Sequence, residues 1–368
     1  GTASCPDMTL LRRRLNSLYG ASMTASYTCA GFSRVIDGCI EGVDDALVRE
    51  PSLSAQREAL LTELLLRPAL SDGAFNKEWL DIEREKLRDD IRSIINDKRD
   101  YCMYLLADSF YKDARRLPTD GYEEDLDAIT PQGLYEDYLA FLRQCNVEII
   151  YVGQKKDGLS DRLAAAFDFS GRGPAAAQPL LPVAACDEQK IERRMAVEQD
   201  KLALAFTTGE LLDERGFAAL RLASALLGGS ATSRLFVNVR EKLSLCYYAA
   251  SRVSYRSGGG LFIDCGIEHQ NVPKAREAIL RELAALAQDG PTERELTEIK
   301  LLFENILGAA ADTSGGLEGY CYNSIVRSGR LILPREELEL LRDISAREIT
   351  QVLRKLHLNA SCLLEKEA

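Results

Sequence analysis

The sequence has 368 residues, of which 46% are hydrophobic and 28% are charged, which is typical of a folded globular chain with two domains and not of a disordered or fibrous one. Its 46 basic and 57 acidic residues give a net charge of -11, which disfavours nucleic acid and anionic lipid surfaces as partners. No apolar run approaches the roughly 20 residues of a membrane-spanning helix, and the N-terminus lacks the order of a secretory signal, so we expect a cytoplasmic protein without a membrane partner.

The first half of the chain predicts a series of α and β elements. A short helix precedes one or two strands over 24–41, where β-branched and aromatic residues mix with small ones. A long helix is predicted over 79–113 and another helix begins at 129–134. The apolar run at 146–153 predicts a closing strand.

The second half follows a segment at 171–187 that is rich in Pro, Gly and Ala and predicts a linker. We therefore expect domains at 1–170 and 188–368. The second half begins with an alternating strand at 201–208 and a helix at 217–227, followed by strands within 245–267.

An amphipathic helix comes next, with five apolar residues on one face: Val272, Ala275, Ile279, Leu283 and Leu286. Thr292 and Glu295 have the spacing of a capping box and predict the start of the following helix.

Four short matches between the halves indicate an internal duplication. The segment IDGCIEG at 36–42 resembles IDCGIEH at 263–269, and three further pairs keep the same order with offsets between 215 and 227 residues. The duplication predicts an α+β fold in which each copy has a mostly antiparallel sheet with helices packed on one side. The second copy begins with about 45 residues that have almost no counterpart in the first, so we expect the first copy to lack its opening segment.

Histidine content restricts the chemistry. The only histidines, His269 and His357, lie far apart in the chain, so neither H-E-x-x-H nor H-x-x-E-H occurs. Neither histidine lies near a nucleophile motif, and we predict surface or capping roles for both. The ten cysteines are evenly spread without a C-x-x-C pair, which is typical of reduced thiols.

One stretch carries a resemblance to a known family. The segment SRLFVNVREKLSLCYY at 233–248 resembles the second-domain signature of the insulinase/pitrilysin zinc peptidases, which include the mitochondrial processing peptidases. LNSLYGA at 15–21, LSDGAF at 70–75, IINDK at 94–98 and ITPQGLY at 129–135 are similar to a Gram-positive bacterial branch whose members are typically non-catalytic companions of an active relative. The resemblance implies two domains that face each other as a clamshell, the metallohydrolase fold of the LuxS and processing-peptidase type.

The resemblance also implies a degenerate metal position. In active members a first-domain helix carries H-x-x-E-H, and a later long helix supplies a glutamate ligand. Here Asp89 falls at that ligand position with Asp90 beside it, and aspartate is one methylene shorter than glutamate. We therefore expect no metal ligands in this chain. From the residues alone, an ordinary solvated helix face is the favoured interpretation of Arg88, Asp89 and Asp90.

Two residues of the 233–248 signature correspond to the family's peptide-binding pair. The resemblance implies that Arg240 and Tyr247 hold the backbone and a carbonyl oxygen of bound peptide, roles that suit a guanidinium and a phenol. Without the resemblance, Arg240 would be interpreted as part of a charged helix end and Tyr247 as a half-buried strand residue.

These observations predict a non-catalytic, processing-peptidase-like subunit without a cofactor of its own. It would bind an extended peptide by strand addition and pair with a zinc-bearing relative as a heterodimer, or form a homodimer. Two alternatives remain open at this point. One is an active zinc endopeptidase whose H-x-x-E-H lies upstream of this sequence, and the other is a structural scaffold without affinity for peptide.

Overall fold

The structure is a computed structural model and describes residues 1–48, 50–154, 157–167 and 180–367. The chain forms two compact units that do not follow the sequence halves. The first unit comprises Gly1–Cys29, Ser33–Arg92 and Thr119–Gln178, and the second comprises Ala30–Phe32, Ser93–Pro118 and Pro179–Ala368. Of the predicted linker at 171–187, residues 171–179 lie outside the described residues. The remainder, 180–187, contains no helix or strand.

The described residues form thirteen α-helices and seven β-strands. The helices are α1 (Met8–Ser17), α2 (Asp45–Val48), α3 (Leu53–Leu66), α4 (Lys77–Ser93), α5 (Lys98–Phe110), α6 (Pro131–Gln144), α7 (Leu159–Phe167), α8 (Glu214–Gly228), α9 (Val272–Asp289), α10 (Glu293–Ala311), α11 (Ser314–Ser328), α12 (Pro334–Asp343) and α13 (Ala346–Leu353). The strands are β1 (Ser22–Ala30), β2 (Ser33–Glu41), β3 (Gln189–Met195), β4 (Asp200–Thr207), β5 (Cys246–Ser254), β6 (Gly260–Ile267) and β7 (His357–Lys366). None of these helices is both long and apolar enough to cross a membrane.

The second unit contains a five-stranded sheet in the order β3-β7-β4-β6-β5. The β3–β7 pair is parallel and the other three pairs are antiparallel, as predicted for a mostly antiparallel sheet. Side chains alternate along β4, so Leu202, Leu204 and Phe206 join one core while Ala203 and Ala205 join another on the opposite face. The larger core packs against α8, α9 and α13, and the α+β fold class is confirmed.

Helices cover both faces of this sheet, whereas the sequence predicted helices on one side. The helices of the second half lie on one face, and α5, from the first half of the sequence, packs on the other. Leu106 and Phe110 of α5 are almost completely buried there with Phe262 and Cys362. The α5 helix is apolar around most of its circumference, which suits burial against a sheet.

The prediction of one helix over 79–113 was wrong because the chain breaks between α4 and α5. Asp97 caps the new helix, and its side chain accepts hydrogen bonds from the backbone N–H groups of Arg99 and Asp100 at 2.9 and 3.0 Å. An aspartate in this position favours a helix start over a helix interior.

The first unit has a smaller core and only a β1–β2 sheet among its described residues. Leu11 in the first turn of α1 and Leu18, the residue that follows this helix, pack with Leu53 and Leu60 of α3. The predicted closing strand at 146–153 is not formed. In the second unit the closing strand β7 lies between β3 and β4, and the described residues of the first unit contain no strands equivalent to those two. A strand without neighbours leaves its backbone groups unpaired, so the apolar pattern alone does not produce one.

Candidate functional site

Tyr247 occupies a β-bulge near the start of β5. The register pairs Cys246 with Ile267 and then Tyr248 with Gly266, so Tyr247 is the extra residue of the bulge. A bulge interrupts the alternation of side chains and redirects the inserted one. Accordingly Tyr247 is 50% exposed instead of lying on a covered face of the sheet.

The phenol of Tyr247 is already hydrogen-bonded. It donates to Oε1 of Glu268 at 2.8 Å, and Oε2 of Glu268 accepts a second hydrogen bond from Gln270 at 3.0 Å. The hydrogen bond to Glu268 and the negative charge of this carboxylate raise the pKa of Tyr247, because a phenolate is disfavoured beside another negative charge. The phenol is therefore a neutral donor, and its proton is directed at a carboxylate.

Arg240 lies in a π-helix, Leu235–Lys242, that precedes β5. Leu235 and Val239 are fully buried and anchor this helix to the core, while the Arg240 side chain remains more than one-third exposed. Its guanidinium lies 4.4 Å from the centroid of the Phe236 ring and 3.5 Å from a carboxylate oxygen of Glu241. Helices of this rare type often occur at functional sites.

The segment that joins the π-helix to β5 is constrained. Ser244 has a φ of +50°, a left-handed conformation that residues other than glycine rarely adopt. Asn238 donates to Glu282 of α9 at 2.9 Å and accepts from Lys242 at 3.0 Å, which fixes the π-helix against its neighbour. Backbone strain of this kind is frequent at binding sites, where the surrounding packing maintains it.

Arg240 and Tyr247 line one surface depression of about 350 Å³. The depression also contains Glu241, Ser244, Leu245, Cys246, Glu268 and Asn271. Burial raises the pKa of the Cys246 thiol to about 11, so this sulfur is not a thiolate at neutral pH. The structure thus brings the two predicted residues together, and their contact with peptide stays a prediction.

Glu268 was not singled out from the sequence, although the repeat contained a signal for it. It belongs to the duplicated segment at 263–269 and matches Glu41 of the first copy. The sequence could not show that Tyr247 is displaced by a bulge and thereby reaches this carboxylate.

Asp89 and Asp90 lie exposed on α4 of the first unit. On the same helix Arg88 has only 14% of its side chain exposed and pairs with Asp127 at 2.7 Å and Glu123 at 3.5 Å. No group of three or more potential metal-ligating side chains occurs in the parts of the chain that the structure describes. The expected lack of metal ligands in this chain stays a prediction.

The two histidines lie in separate surface positions. His269 begins a short 3₁₀ turn, and its Nδ1 lies 2.8 Å from the buried carboxylate of Asp200. The other oxygen of Asp200 accepts from the backbone N–H of Lys366 at 2.8 Å. His357 is the exposed first residue of β7. These positions agree with the predicted surface and capping roles.

Comparisons with known proteins relate this chain to a family of peptidases. The sequence profile described as "Peptidase M16 inactive domain" matches residues 128–303. A relative described as "Probable inactive metalloprotease YmfF" from Bacillus subtilis is 28% identical over 99% of this chain and 86% of its own length.

Solved structures share the fold of this chain. A conserved protein from Enterococcus faecalis is 25% identical, with a TM-score of 0.89 over 100% of this chain and 87% of its own. A structure described as a peptidase M16 inactive domain from Pseudomonas fluorescens has the same fold, with a TM-score of 0.77 at 19% identity over 100% of this chain and 86% of its own. The chain is thus similar to the M16 peptidases, the family of the insulinase/pitrilysin type, and to a relative described as inactive.

Proposed function

We propose that this chain is a non-catalytic M16 subunit that binds an extended peptide and pairs with a zinc-bearing relative in peptide or protein processing. The observation that carries the proposal is that Arg240 and Tyr247 line one depression at the start of the edge strand β5. The similarity to a relative described as a probable inactive metalloprotease supports the non-catalytic part of the proposal.

The position of β5 supports binding of an extended peptide. It is an edge strand, and among the described residues its only ladder partner is β6. The depression that contains Arg240 lies at the start of this strand. A peptide added as a strand would gain backbone hydrogen bonds from β5, and its carbonyl oxygens would approach cationic and phenolic donors.

We also propose that the protein functions in the cytoplasm. All ten cysteines are free thiols, which suits a reducing compartment.

The proposal is tested with the chain alone and with its zinc-bearing relative from the same organism. We expect the chain alone to bind peptide without cleaving it and the pair to cleave it, with zinc held by the relative. Peptide cleavage and bound metal are measured in parallel. Robust zinc-dependent cleavage by this chain alone would contradict the proposal, and absence of any peptide binding would favour a structural scaffold.

Arg240→Ala is expected to lower cleavage by the pair about tenfold without dissociating it, because a guanidinium hydrogen bond to the peptide is lost. Arg294→Ala is the matched control, since Arg294 is 87% exposed and pairs only with Glu298 on its own helix among the described residues. An unchanged rate for Arg240→Ala would remove Arg240 from the mechanism.

A further inference from the structure

Three basic side chains cluster on the face of the second-unit sheet that carries α5. They are Arg99 at the start of α5, Lys201 on β4 and Arg252 on β5. Between them lie the ring of Tyr248 and the carboxylate of Asp264. We call this surface, Arg99, Lys201, Tyr248 and Arg252, the basic strip.

The strip is held in place by the sheet beneath it. Lys201, Gly266 and Tyr248 lie in one row across β4, β6 and β5. A Cβ at Gly266 would come within 2.6 Å of the Tyr248 ring, so only glycine lets the ring lie across the row. The guanidinium of Arg99 lies 4.5 Å from the ring centroid and the ammonium of Lys201 lies 5.5 Å from it. Cations at these distances are attracted to the face of the ring.

The exposed groups of the strip are cationic, and the carboxylate between them is buried. Asp264 is 3% exposed, and its two oxygens accept from Arg99 at 2.5 Å and from Arg252 at 2.8 Å. Asp100 is a second carboxylate whose charge acts on Arg99. Three cations therefore surround the fully engaged carboxylate of Asp264, in a chain whose net charge is -11, while Asp97 and Asp100 lie at the helix start beside Arg99. The side chains of Arg99 and Arg252 remain 43% and 48% exposed, so both have donors available to a ligand.

The basic strip and the depression lie along the same edge strand. Tyr247 precedes Tyr248 in β5, and the bulge separates the directions of the two side chains. An extended peptide beside β5 would direct alternate side chains to opposite faces of the sheet. One set would approach the side that holds the depression and the other set would approach the strip.

We propose that the basic strip binds a carboxylate side chain of the extended peptide, so that this subunit selects acidic peptides. The inference rests on the proposed peptide binding and adds the class of peptide. Arg252 is the specificity-determining residue, because it is the exposed cation on β5 itself. Lys201 and Arg99 supply the surrounding positive potential.

The test uses three labelled peptides of about ten residues, built from Ala, Ser and Thr to favour an extended conformation. They carry Glu, Gln or Lys at alternate positions and are otherwise identical. Binding to the full chain is measured by fluorescence anisotropy at about 50 mM and about 500 mM salt. We expect the Glu peptide to bind about fivefold more tightly than the Gln peptide at low salt, the preference to shrink at high salt, and the Lys peptide to bind most weakly.

Substitutions test whether the basic strip is the source of the preference for the Glu peptide. Arg252→Gln and Lys201→Gln are each expected to reduce the Glu-over-Gln preference, while Asp264 retains Arg99 as its partner. Arg252→Lys should restore most of the preference, and Arg294→Gln is the control for general loss of positive charge. Circular dichroism melting of each variant confirms that it is folded.

The outcomes are distinguishable. If the Glu and Gln peptides bind measurably but equally, acidic selection is wrong while peptide binding stands. If the preference survives in the Arg252→Gln, Lys201→Gln double variant, the strip is not its source and the inference is overturned. If none of the three peptides binds, the proposed function fails and this inference fails with it.

Discussion

Glu268 determines what Tyr247 can do in the depression. The phenol donates its proton to Glu268, so a peptide carbonyl that approaches Tyr247 has to compete with a carboxylate for the same donor. The resemblance to active peptidases predicted the tyrosine but gave no indication of this competitor. In our proposal, Tyr247 and Glu268 therefore contact the peptide together.

Glu268→Gln is expected to lower the pKa of Tyr247 towards its ordinary value of 10.0, because a neutral amide no longer opposes the phenolate. Alkaline titration followed by tyrosinate absorbance measures the change, and Tyr247→Phe identifies which part of the signal belongs to this residue. An identical titration in Glu268→Gln and the original protein would show that the two side chains do not interact in solution.

The lowered pKa of Glu295 makes the free energy of unfolding depend on pH in the acid range. Arg234, at 2.8 Å, holds the pKa of Glu295 down at about 2, with help from the backbone and side chain of Thr292. Because the folded-state pKa lies below the ordinary 4.5, this stabilisation is present above pH 4.5 and disappears as the pH falls towards 2.

The check is Glu295→Gln, which removes the titrating group but preserves the capping box of α10, since glutamine also serves in that position. We expect the variant to melt at a lower temperature than the original protein at pH 7 and at the same temperature near pH 2. A constant difference across this range would contradict the assigned pKa.

At the scale of elements, local signals in the sequence were sufficient for the helices of the second half. The apolar face of α9 and the capping box of α10 occur where they were predicted, because periodicity and capping depend on neighbours within one or two turns. The prediction of a strand at 146–153 was wrong for the opposite reason, because a strand depends on partners that are distant in sequence. The Arg240 and Tyr247 pair came from resemblance, and the bulge that positions Tyr247 could not be predicted from spacing.

The start of α5 is a second element whose stability can be tested. Asp97→Ala removes the cap, which typically costs about 1 kcal/mol, so amides of α5 should exchange with solvent about fivefold faster. Hydrogen exchange followed by mass spectrometry measures this directly. Asp89→Ala is the control, because Asp89 is exposed in α4 and caps nothing there, and it should leave exchange in α5 unchanged.

At the scale of the whole molecule, the two copies of the repeat have the same order of elements, but the compact units do not coincide with the copies. The hairpin of β1 and β2 corresponds to that of β5 and β6, and α4 corresponds to α10 by the offset of the repeat. Yet α5 belongs to the second compact unit although it lies in the first half of the sequence. The predicted boundaries at 170 and 188 describe the duplication and remain a prediction.

The placement of α5 means that a cut in the backbone would not separate the two pieces. With an engineered protease site within 171–179, the fragment that carries α5 should stay bound to the fragment that carries β4, β6 and β7, and the two should co-elute in gel filtration. Leu106→Ala, which opens a cavity at a fully buried position, should weaken that association. Conversely, a gene truncated to begin at residue 180 would encode a sheet with Phe262 and Leu364 uncovered, a surface prone to aggregate unless a peptide spanning 93–118 is supplied with it.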